Sequence, residues 1–251
     1  MRIHFSLKTI ILISIIALGW ACNKTPLCDC FDSAGSPNSQ VRQLPFFNQI
    51  IANDNINVII TIGSPQQVTI EGGGNLISNI GANVSGGILT LHNNNICNWL
   101  RSYKKSGINV YITMPQLNTI TNSGYGTVSS QGTIAVDSLV LYTTNSPGDI
   151  DLTVNAKFIN AHLFGTADLT LSGQCQTFLT NNFGGTGFIY NSNLIVSNYA
   201  FISTNTTGDC YVNSIGTLDV QIFGQGNVYY SGPPAKFQYT SEGGSGQCIP
   251  N

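Results

Sequence analysis

A short turn recurs through the second half of this chain and limits its folds more than any other feature. A glycine or other small residue, one variable residue and an apolar residue follow one another in "GYGTV", "SPGDI", "GTADL", "GGTGF", "TTGDC", "GQGNV" and "GGSGQC". Read this way, the turns end at Val128, Ile150, Leu169, Phe188, Cys210, Val228 and Cys248, in steps of 22, 19, 19, 22, 18 and 20 residues. A period near twenty marks stacked units that bury a core only against their neighbours. The segments after the turns, such as "DLTLSG" and "NVYYSG", are strand-like, and no amphipathic helix of useful length interrupts them. The expected fold is therefore all-β, a right-handed parallel β-helix or β-solenoid with coils of about 20 residues. Glycine suits the corners because it accepts positive φ and lets backbones approach closely. A dinucleotide-binding loop is excluded, since its third glycine would fall at Tyr229 and no helix follows.

The first half carries strands without the clear period: "INVIITIG" (56–63), "QVTIEG" (67–72), "GILTLHN" (87–93) and "INVYITMP" (108–115). "NLISNIGANV" (75–84) allows one helical turn at most. Residues 45–251 read as a single solenoid domain. Charged residues make up 8 % of the chain, against about 25 % in ordinary soluble domains. Solubility then rests on Asn, Ser, Thr and Gln, which suits an extracytoplasmic β protein. A formal charge of −2 argues against nucleic acid as a partner.

The start of the chain reads as a leader and not as fold. "MRIHFSLK" is basic, Ile10–Leu18 is apolar, and "GWAC" follows, which predicts a signal peptide over residues 1–21. The apolar run is too short for a stable bilayer-spanning helix. Gly19 and Ala21 suit ordinary signal peptidase, whereas Cys22 suits lipidation. Seven cysteines in an exported chain leave one over, and lipidation of Cys22 leaves an even six. Lipidation is the expected route, so the only membrane contact is through a lipid anchor. Residues 22–44, broken by Pro26, Gly35 and Pro37, read as a tether.

The tandem "SGYGTV", "FGTADLTLSG", "FGQGNVYYSGPP" and "GGSG", with "FNQI" and "NNNICNWLRSYKKSGINVYI" upstream, resembles the auto-transporter adhesin, head GIN domain family of exported Bacteroidetes proteins. The resemblance spans about residues 45–250. It implies a β-helix-like solenoid at the cell envelope, and it brings neither an established activity nor catalytic residues.

Three aspartates, Asp149, Asp168 and Asp209, sit just before the apolar residue of their repeats, where other repeats carry Thr127, Asn227 and Gln247. Stacking in register would set Asp149 and Asp168 about 5 Å apart, near the spacing of a retaining glycosidase pair. The alternative is turn chemistry. No His, Arg or Lys in the same repeats tunes an acid, and Lys157 and His162 stand alone, so catalysis is not expected. A polysaccharide hydrolase or lyase is the competing reading. Neither a metal nor a cofactor is expected: His92 and His162 lack partners at ligand spacing, and "CDC" is too tight for zinc. Trp99, Arg101, Tyr103, Lys104 and Lys105 are a candidate binding patch for a surface polymer or protein, although the favoured reading is that Trp99 and Leu100 plug one end of the solenoid while the basic residues stay solvated.

Cys210 and Cys248 share a repeat position two coils apart, beyond disulfide reach, and Cys175 has no partner in phase. That leaves Cys30 or Cys28 for Cys97, with Cys30 preferred as the nearer to the domain. Such a bridge would contribute about 4 kcal/mol by constraining the unfolded chain. The functional expectation is a non-catalytic binding or adhesion-type lipoprotein, periplasmic or anchored to the outer membrane. A structural envelope protein assembling edge to edge is a further reading.

Overall fold

The computed structural model describes residues 33–96 and 107–251. The strands are β1 (Pro37–Arg42), β2 (Gln49–Ala52), β3 (Ile56–Ile62), β4 (Gln67–Gly73), β5 (Ile80–Ser85) and β6 (Ile88–Asn93). Then come β7 (Ile108–Met114), β8 (Thr119–Asn122), β9 (Val128–Thr143), β10 (Ile150–Phe164), β11 (Leu169–Phe183) and β12 (Ile189–Asn205). The last coils hold β13 (Cys210–Ser214), β14 (Thr217–Ile222), β15 (Val228–Ser231), β16 (Lys236–Ser241) and β17 (Cys248–Pro250). The four strand segments expected in the first half match β3, β4, β6 and β7 within a residue or two. The expected single turn at 75–84 is a 3-10 turn, Ile77–Asn79.

The strands form a β-solenoid of about seven turns, each of about 20 residues. Each of the long strands β9 to β12 turns a corner, and the first and last parts of each lie on different faces. One face runs β9, β10, β11, β12, β13, β15, β17 by parallel pairing. The other continues through the far ends of the long strands to β14 and β16. The burial pattern shows how sequence makes the corner. In β10 inward and outward residues alternate until Lys157 and Phe158, two consecutive residues that are not fully buried; Ile159 then restarts the alternation. One slip in a period of two swings the chain onto a new face.

Inward columns build a single core. Val128, Ile150, Leu169, Ile189, Cys210 and Val228 stack in register, and each is at most 1 % exposed. The fourth member corrects the sequence expectation: it is Ile189, not Phe188. Gly187 is the residue equivalent to Gly148 and Gly208, so Phe188 takes the place that Asp149 takes in its coil and points outward.

The recurrent glycines are required by crowding. Gly126, Gly208, Gly226 and Gly246 all have ordinary φ. A Cβ on Gly208 would collide with the carbonyl oxygen of Gly187, and one on Gly226 with that of Gly208. Each coil thus sits backbone to backbone on the previous one at this corner.

The first half departs from simple winding. β2 lies between β6 and β8, and β3 between β7 and β9, so the first coil in the chain is the second in the stack. Outside it, β4 adds antiparallel to β7, β1 antiparallel to β4, and β5 antiparallel to β6. Leu76, Ile77 and Ile80 are buried there and close that end of the core. Residues Pro37–Arg42, assigned to the tether by sequence, are therefore strand β1 of the cap.

Candidate functional site

The aspartate column is the first place to look for chemistry, and its carboxylates are already engaged. Asp149 Oδ1 accepts the backbone N–H of Asp168 at 2.9 Å, and Asp168 Oδ1 accepts that of Phe188 at 2.8 Å. Asp209 Oδ1 accepts from Asn227 N–H at 2.8 Å. Neutral side chains do the same job: Asn227 Oδ1 accepts from Gln247 N–H at 3.0 Å, and Asn57 Oδ1 from Thr127 N–H at 3.2 Å. The column is a row of inter-coil clasps that satisfy amides at the crowded glycine corner. Each clasp occupies one oxygen of its carboxylate, and Asn57 and Asn227 fill the same role without charge, so backbone satisfaction accounts for the column.

An aromatic file runs beside the clasps. Phe188 and Tyr190 stack at 5.6 Å, Tyr190 and Tyr211 at 5.8 Å, and Tyr211 and Tyr229 at 5.0 Å. Tyr190, Tyr211 and Tyr229 are register neighbours in successive coils. Tyr190 and Tyr211 each stack on two neighbouring rings, so the file buttresses the coils against one another.

The open groove lies at the corner within the long strands. It has a volume of about 810 Å³ and spans five coils. One rim carries Ala135, Asn155, Gln174 and Ile195 in register; the other carries Asp137, Lys157, Gln176, Ser197 and Ile215. Gln174 Nε2 donates to Asn155 Oδ1 at 3.2 Å. Lys157 Nζ lies 2.9 Å from Asp137 Oδ1, with both side chains largely exposed. Ile195 and Ile215 are each nearly half exposed. Lys157, expected to stand alone, has its partner one coil upstream, and His162 likewise stacks on Tyr142 at 5.0 Å. Searching for polar residues twenty positions apart would have found both pairs. His92 meets Asp54 at 3.6 Å at the surface.

The thiol in the groove wall is inert. Cys175 is buried, and desolvation pushes its pKa up to about 12. It stays protonated at neutral pH and cannot act as a thiolate nucleophile. Among the described residues Cys175, Cys210 and Cys248 are unbridged. The leader, Cys22, Cys28, Cys30, Cys97 and the patch Trp99, Arg101, Tyr103, Lys104 and Lys105 lie outside the described residues.

The family described as "Putative auto-transporter adhesin, head GIN domain" matches residues 46–234. The chain belongs to this family. Several solved structures share its fold. The crystal structure of a "putative adhesin" from Bacteroides fragilis superposes with a TM-score of 0.75 at 24 % identity, covering 86 % of this chain and 97 % of that one. One from Parabacteroides merdae gives 0.58 at 17 % identity, covering 87 % and 98 %. A "putative lipid binding protein" from Parabacteroides distasonis gives 0.61 at 14 % identity, covering 88 % and 99 %. No curated protein matches the chain.

Proposed function

We propose that this head GIN protein is an exported, non-catalytic adhesion module that holds an extended, uncharged surface glycan in the Asn155–Gln174 groove. The observation carrying this reading is the groove itself: it spans five coils, sets Asn155 and Gln174 in register between Ala135 and Ile195, adds exposed Ile215, and has its one cation neutralised by Asp137. Coils repeat about every 4.8 Å. That is close to the rise of one sugar along an extended glycan, so the amides of Asn155 and Gln174 can meet neighbouring sugars while Ile195 and Ile215 meet those further along. Amides supply both donor and acceptor to hydroxyls, and isoleucine side chains cover the apolar faces of the rings. Export and lipidation at Cys22 fit a ligand met outside the cell.

The hydrolase or lyase alternative loses support because Asp149 and Asp168 are clasped to backbone amides. Calorimetric titration with neutral glycans of increasing length tests the proposal. Affinity should rise with length up to the groove, and the Asn155→Ala/Gln174→Ala double variant should weaken it roughly tenfold. Reducing ends released by the wild type and lost in Asp149→Asn/Asp168→Asn would restore the enzyme. Binding to phospholipid vesicles in place of glycans would favour the lipid ligand named for the Parabacteroides distasonis relative.

A further inference from the structure

The two ends of the solenoid are finished differently. The first coils are closed by β4, β1 and β5 and by buried Leu76 and Ile77. At the far end the inward columns stop at β16 and β17. Phe237 continues the column of Leu218, and Tyr239 that of Val220, yet they are 45 % and 40 % exposed where Leu218 and Val220 are 0 %. Phe237 stacks on Tyr230 at 5.1 Å, and the Tyr239 hydroxyl donates to Gly246 O, so both rings are held in place while remaining half open.

The backbone directions separate the two end strands. Lys236 N–H donates to Gly216 O and Glu242 N–H to Ile222 O, so even-numbered residues of β16 face β14. Phe237, Tyr239 and Ser241 therefore turn their amides and carbonyls to the open edge. On β17, Val228 N–H donates to Gln247 O and Asn251 N–H to Tyr230 O, which leaves Cys248 and Pro250 facing outward. Proline has no N–H, so β17 is blunted against further pairing. β16 presents its outward donors and acceptors intact.

The geometry points to a second copy of this chain as the partner of β16, in a two-fold antiparallel strand pair. A two-fold axis must pair β16 with itself antiparallel. Hydrogen-bonded pairs can form only among its outward residues, and the fullest such register sets Tyr239 opposite Tyr239, and Phe237 opposite Ser241, across the axis. This register also sets Lys236 opposite Glu242 at both ends of the pair, in the positions where antiparallel side chains come closest. Shifting by one pairing step leaves Glu242 opposite Pro234 and Lys236 opposite Thr240, with fewer bonds and no charge match. The odd-numbered side chains all lie on the inward face, so the two open core ends meet and cover each other's Phe237 and Tyr239.

Sedimentation equilibrium of the full chain in density-matched detergent tests this. The wild type should reach twice the chain mass. Ser241→Pro removes an outward N–H that β14 does not use, and should weaken the dimer roughly tenfold or more while leaving the melting temperature unchanged at dilutions where both proteins are monomers. Lys236→Glu and Glu242→Lys should each weaken it roughly three- to tenfold, and the double exchange should restore it. A wild-type monomer at the highest concentration reached, a dimer indifferent to all these variants, or an open-ended polymer would each overturn the proposal.

Discussion

At the scale of single residues, two positions in each turn do most of the structural work. The clasp residue gives the next coil's backbone an acceptor, which Asp and Asn supply and Phe188 does not. Asp168→Asn keeps an acceptor and should leave the melting temperature nearly unchanged. Asp168→Ala strands the part-buried Phe188 N–H and should cost about 1–2 kcal/mol in urea unfolding. Equal losses for Asn and Ala would mean that charge, not hydrogen bonding, is what the position supplies. The glycine beside the clasp is less forgiving. Gly208→Ala drives a methyl into the Gly187 carbonyl, so the coils must part; we expect a loss of about 3 kcal/mol or failure to fold, read by thermal denaturation.

Strands and coils show what a periodic sequence discloses and what it hides. The period of twenty disclosed the parallel stack from Val128 onward, because one inward column repeats in each coil and turn residues mark its phase. It misplaced one coil, where Phe188 and Ile189 are both apolar and only the equivalence of Gly187 distinguishes them. Of the groove, sequence inspection missed Asn155, Gln174 and the Asp137–Lys157 pair: these side chains meet through stacking and are never neighbours in the chain. The order of the first coils was hidden for another reason. β3 and β7 have nearly the same pattern of Ile, Val and Asn, and nothing local says which lies outermost. Packing inside the coils is similarly non-local. Phe178 is fully buried between Ile159 and Ala200 in one column, the small Ala200 making room for the ring. Phe178→Ala should therefore cost about 3–5 kcal/mol by thermal or chemical denaturation. A loss below about 1 kcal/mol would show that neighbouring coils collapse into the space.

For the whole molecule, the scarcity of charge shifts pH sensitivity from ion pairs to thiols. Desolvation raises Cys175 and Cys210 from 9.0 to about 12, and Cys248 to about 11. The folded state keeps these protons after the unfolded chain has begun to release them. Their contribution is thus fully present below pH 9 and declines as pH rises toward 11–12, since the unfolded state gains by ionising first. Buried Cys175 and Cys210 should dominate, because Cys248 is only partly covered. Raised tyrosines such as Tyr199, partly desolvated and beside Asp219, push in the same direction, so the wild-type slope alone does not isolate the thiols. Cys210→Val does, because Val228 already fills the next place in that column with the same packing. Melting temperatures from pH 7 to 10.5 should fall less steeply above pH 9 in the variant than in the wild type. Parallel curves would mean that the Cys210 thiol ionises within the fold as readily as outside it, and that the solenoid interior admits water at that coil.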